Sequence, residues 1–65
     1  MNILVNGVPT DMKSAELESA LIMLGYADAT VATAINGDFV PLSLRINTVL
    51  IEGDKLEILA PMQGG

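Results

Sequence analysis

Residues 2–11, NILVNGVPTD, place two short β-favouring runs on either side of Asn6-Gly7. Asn and Gly tolerate positive φ better than other residues, so the pair is the strongest short-range signal for a tight hairpin. Strands are predicted over Asn2 to Asn6 and Val8 to Met12. Pro9 has no amide hydrogen to give to a ladder, so the second strand belongs at an edge or turns Pro9 outward. The unbroken apolar run Ile3, Leu4, Val5 suits a strand in the middle of a sheet better than one at its rim.

Outward from this hairpin the pattern changes period. In SAELESALIMLGY (14–26), Leu17, Ala20, Leu21 and Leu24 recur at helical spacing, with Glu16 and Glu18 at the dipole-favoured start. A helix is predicted from Ala15 to Leu24, with Ser14 as N-cap and Gly25 as the residue just past the end. VATAIN (31–36) then alternates Val31, Thr33 and Ile35 with small Ala32 and Ala34, and a second Asn-Gly pair returns the chain through DFVP (38–41). LSLRINTVL (42–50) reads as a short irregular or 3₁₀ crossing, with Arg45 expected as a solvated surface arginine. EGD (52–54) reads as a turn. In KLEILA (55–60), Leu56, Ile58 and Ala60 share the face expected to meet the helix, while Leu59 points away and is expected to be exposed. Pro61 stops the strand.

The predicted order is hairpin, helix, hairpin, crossing, last strand. One helix on one face of a mixed sheet of about four to five strands is the two-layer solution for such a chain, an α+β fold. The expected division is a folded domain over 1–60 and a flexible tail over 61–65.

Composition narrows the function. A chain of 65 residues buries only about 60% of its unfolded surface, and its 51% hydrophobic and 17% charged residues suit a packed core. There is no cysteine and no histidine. The commonest nucleophiles, general bases and transition-metal ligands are therefore missing together, which argues against an enzyme acting alone. The formal charge of −5 disfavours phosphate backbones and anionic lipid, so neither nucleic acid nor membrane is an expected partner. The start MNILVNG has no basic leader and no long apolar run, and the reading is of a cytoplasmic protein, monomeric when free. Glu52, Asp54 and Glu57 read as turn or surface charges, so no metal is assigned.

The last stretch, APMQGG (60–65), raises a separate question. A lone Gly-Gly would read as a frayed end. Here it follows a proline-stopped strand, and the stretch from Pro61 to Gly65 can reach about 17 Å from the folded domain. Glycine has no Cβ, so such a thread can pass a narrow channel and approach reacting groups closely. An ionised α-carboxylate can attack the α-phosphate of ATP, yet this chain has no phosphate-binding glycine loop to supply the activation itself.

ILVNG (3–7), AINGDFVP (34–41) and EGDKLEILAPMQGG (52–65), with the length and the absence of cysteine, resemble the ThiS-type sulfur carriers of thiamine biosynthesis, which have the ubiquitin-like β-grasp fold. The resemblance implies that the first and last strands lie side by side and parallel in the middle of the sheet. It implies that Gly65 is adenylated by a ubiquitin-activating-like adenylyltransferase using ATP and Mg²⁺. Sulfur from a persulfide donor then replaces AMP to leave a thiocarboxylate, which thiazole synthase consumes. Gly64 would give clearance, and Met62 and Gln63 the threading segment. Docking in such carriers uses the uncovered sheet face, which makes Leu59 and Phe39 the candidate partner-binding residues. The chain would have no catalytic residue and no bound cofactor of its own. It departs from the pattern after Val40-Pro41, where many relatives carry a basic residue and this chain has Leu42, with Arg45 three positions on. The alternatives that share the tail are a molybdopterin synthase small subunit, a ubiquitin-like modifier and a plain interaction module.

Overall fold

The computed structural model describes residues 1–60. Five strands form one sheet: β1 (Asn2–Val5), β2 (Val8–Asp11), β3 (Ala32–Ile35), β4 (Asp38–Val40) and β5 (Lys55–Leu59). The spatial order is β2-β1-β5-β3-β4. β5 pairs parallel with β1 and antiparallel with β3, so the last strand occupies the centre. This is the α+β, ubiquitin-like β-grasp arrangement expected from the sequence. The single α-helix, α1 (Leu17–Met23), covers one face, and a 3₁₀ segment, η1 (Leu42–Asn47), makes the crossing to β5.

Both hairpins turn where the Asn-Gly pairs sit. Asn6 and Asn36 have φ of 50° and 52°, and the glycines after them 84° and 87°. Positive φ at both central residues is the type I′ geometry, whose twist matches that of the flanking strands. Pro9 lies on β2, an edge strand, where its missing donor costs no ladder bond.

Helix and sheet meet through the residues that the periodicities select. Leu17, Ala20 and Leu21 of α1 pack with Ile3, Val31, Leu56 and Ile58 of the sheet side, and Met12 and Leu50 close the core from the connections. The helix is shorter than the predicted Ala15 to Leu24. Glu16 stands at the N-cap position, not Ser14, and its side chain makes no capping bond. The cause lies in the crossing. Thr48 carbonyl accepts from Leu17 N–H at 3.0 Å and Ala15 carbonyl from Leu50 N–H at 2.6 Å, so residues 48–50 bind the helix start as a short bridge. That bridge holds Glu16 extended and satisfies the N–H of Leu17, a first-turn donor with no partner inside the helix. At the other end Gly25, at φ 93°, takes the expected position, and Tyr26 N–H reaches back to Leu21 carbonyl at 2.8 Å.

Three further expectations are corrected. Ala60 is exposed rather than on the core face, because β5 ends at Leu59 and the alternation ends with it. Asp54 is not a surface charge. It is 6% exposed, with one oxygen accepting from Ile51 N–H at 2.9 Å and the other from Asn36 Nδ2 at 2.9 Å. Arg45 is not solvated either. It is 7% exposed, with Nε donating to Thr33 Oγ1 at 3.2 Å and Nη2 donating to Val31 carbonyl. Val31 immediately precedes β3 and Thr33 lies inside it, so a guanidinium arriving from η1 finds acceptors at the edge of the core.

Candidate functional site

The face of the sheet opposite α1 carries no helix among the described residues. Register fixes what lies there. Ala32 is opposite Leu59, Ala34 is opposite both Glu57 and Phe39, and Leu4 is opposite Pro9 and Lys55. Leu59 is 70% exposed and Phe39 66% exposed. The two side chains predicted to face a partner thus share one face, with the small Ala32 and Ala34 as a low floor between them. Glu57 and Lys55 continue the β5 row toward its start, where the hollow between the two Asn-Gly turns is lined by Leu4, Asn6, Asn36 and both charged residues. The face is apolar at the Leu59 end and polar at the Lys55 end.

The strand that leads to the tail is held unusually well. On one side, Asn6 N–H donates to Leu56 carbonyl at 2.9 Å, and its carboxamide meets the backbone of Ile58 twice, accepting at 2.8 Å and donating at 3.1 Å. On the other side, Asn36 N–H donates to Lys55 carbonyl at 2.8 Å, its Oδ1 accepts from Lys55 N–H at 3.0 Å, and its Nδ2 donates to Asp54. Each turn asparagine continues a ladder after its own strand has bent away. A carboxamide presents a donor on one atom and an acceptor on another, whereas an ionised aspartate has acceptors alone. The sequence marks these residues as turn formers; their second role was signalled only by the choice of Asn over Asp at both turns.

β5 ends with Leu59 on this face, so the chain leaves the domain from the central strand beside the apolar end. Met62, Gln63, Gly64 and Gly65, which the sequence assigns to threading and to the reactive end, lie outside the described residues. Arg45 is the polar residue whose placement the sequence missed. Together with Phe39 and Leu42 it lines a hollow at the start of β3. Its signal was weak, since an arginine between Leu44 and Ile46 looks like a break in an apolar run. Both of those neighbours are in fact exposed. No grouping of acidic side chains able to hold a metal occurs among the described residues, and no helix there is long and apolar enough to cross a membrane.

Comparison with known proteins covers nearly the whole chain. The sequence model of the ThiS family matches residues 3–65. A crystal structure of the thiamine biosynthesis protein ThiS from Geobacter metallireducens is similar over 100% of both chains, at 33% identity and a TM-score of 0.82. A solution structure of a thiamine biosynthesis protein from Geobacter metallireducens is similar at 30% identity and a TM-score of 0.81, covering 100% of this chain and 88% of that one. No curated protein matches.

Proposed function

The chain belongs to the ThiS family, and from that premise we propose that it is a sulfur carrier for thiazole formation in thiamine biosynthesis, a protein substrate rather than a catalyst. The observation that carries the reading is the position of β5. A strand bonded on both sides ends at the exposed Leu59, so the residues that follow it in the sequence start from a rigid base next to a surface fit for docking.

In this reading the Gly65 carboxylate attacks the α-phosphate of ATP in the adenylyltransferase, with Mg²⁺ there, and pyrophosphate leaves. The outer sulfur of a persulfide donor attacks the acyl adenylate and AMP leaves; a thiol of the donor system then cleaves the resulting acyl disulfide, leaving the terminal thiocarboxylate and a disulfide on the donor side. Thiazole synthase then takes the sulfur. Gly64 contributes clearance, while Met62 and Gln63 span the channel. The carrier itself supplies position, not chemistry, in keeping with the absence of cysteine and histidine.

The test is sulfur transfer from carrier bearing a pre-formed thiocarboxylate. Mixed with thiazole synthase, the sugar phosphate and the imine source, all from the same organism, it should yield thiazole phosphate. Mixed with the large subunit of molybdopterin synthase and its precursor, it should yield little or no dithiolene. Transfer only in the second mixture would move the protein to the other pathway, and ladders of lysine conjugates in cell extract would make it a modifier.

Leu59 gives a separate expectation. Leu59→Asp should weaken binding to the activating enzyme or to thiazole synthase by about 2 kcal/mol, the scale of an interface anchor. Titration calorimetry reads the affinity. The melting temperature should hardly move, because the side chain is already in water; a large drop would mean that Leu59 serves the fold instead.

A further inference from the structure

The chain's one guanidinium is balanced by no acidic side chain among the described residues. Arg45 is buried, yet its two hydrogen bonds go to a hydroxyl and a carbonyl, both neutral. Among the described residues the single ion pair joins the N-terminus to Asp11 of β2, far from Arg45 in sequence. A buried charge is costly unless an opposite charge meets it. In a chain of eight acidic residues the absence of such a partner at this point is a specific arrangement rather than a shortage of carboxylates.

The unused donors have somewhere to point. A guanidinium has five N–H groups, and those of Nη1 donate to no described residue. No fully buried side-chain nitrogen or oxygen lacks a partner, so Nη1 is not a buried orphan. Arg45 lines the hollow formed with Thr30, Val31, Ala32, Phe39 and Leu42. Its walls are mostly apolar and its one charge is positive. Two of its residues, Ala32 and Phe39, also belong to the open sheet face, so the hollow is continuous with that face.

We propose that this hollow is a carboxylate-binding subsite of the docking surface, filled by an acidic side chain of the activating partner with an apolar neighbour beside it. The carboxylate meets Nη1, and the apolar neighbour lies against Phe39 and Leu42. Charge complementarity selects the occupant: the protein is acidic overall, and Arg45 is the cation set in an apolar recess where water screens little. The proposal rests on the carrier reading for the identity of the partner alone. Capture of a carboxylate by the hollow stands apart from it.

The experiment has two arms. In the first, the full chain labelled with ¹⁵N is titrated with the blocked tripeptide Leu-Glu-Leu and, separately, with Leu-Gln-Leu. The Arg45 Nε–H signal and the amides of Ala32 and Phe39 should move saturably with the glutamate peptide and not with the glutamine one. Equal responses to both peptides would overturn the proposal. So would a shift of the Arg45 Nε–H signal on amidation of the C-terminus, because the chain's own carboxylate would then be the occupant. In the second arm folded Arg45→Met should bind the activating enzyme about thirtyfold more weakly, as loss of a desolvated charge pair does. Unchanged binding by a folded Arg45→Met protein would also overturn it. Adenylation of the native chain, measured alongside, reports on the carrier reading independently of either arm.

Discussion

Deletion of Gly65 should abolish ATP–pyrophosphate exchange catalysed by the activating enzyme. The requirement is geometric as much as chemical. If the chain is a carrier whose domain stays outside the enzyme, the attacking carboxylate must lie one full tail length from Leu59. Removing a residue draws it back by about 3.3 to 3.6 Å. A displacement of even about 1 Å from a productive geometry can cost a hundredfold in rate. The new terminus, Gly64, would be chemically as competent as the old one, so the loss isolates reach from reactivity. Gly64→Val keeps the length and adds a branched Cβ to the narrowest part of the thread, and it should fail for the complementary reason. Both variants should melt like the native chain, because the core of the described residues runs from Ile3 to Ile58. Normal exchange by the shortened protein would sink the carrier mechanism.

The second large effect concerns stability. Leu56→Ala should cost about 2 to 5 kcal/mol, read from urea unfolding curves. Leu56 is 0% exposed on the central strand, in the core formed by α1 and the sheet. A core of this size rarely contributes more than about 3 to 5 kcal/mol of net stability. The variant should therefore be largely unfolded at room temperature, and a folded variant with a near-native midpoint would mean that the core can collapse around the missing atoms. Lys55→Ala and Glu57→Ala, one residue to either side but on the open face, serve as controls that should leave the midpoint nearly unchanged.

The contrast within β5 shows what could be read from the sequence. Alternation alone assigns Leu56 and Ile58 to the core and Leu59 to water, because successive side chains of a strand point to opposite faces. The helix stripe and both Asn-Gly turns are equally legible, since each depends on residues close together in the chain. What escaped the reading depends on residues far apart. Ser14 loses the cap position because Thr48 and Leu50 hold the helix start. Asp54 is buried because Asn36, 18 residues away, donates to it. Arg45 is buried because a carbonyl and a hydroxyl near the start of β3 receive it. Local chemistry predicts each of these as exposed or capping, and tertiary partners decide otherwise. On the candidate site, the shared face of Phe39 and Leu59 was legible; the hollow beside them was not.

The central position of β5 has a mechanical meaning as well. A channel that grips the tail pulls on the last residue of β5 along the strand axis. An edge strand under such a load can peel, breaking its bonds one after another. β5 cannot peel, because β1 and β3 flank it and the carboxamides of Asn6 and Asn36 lie across the same line of force. To yield, two ladders must shear together, so tension that would unravel a rim strand is shared across the whole sheet. The domain behaves as a stopper on its own thread.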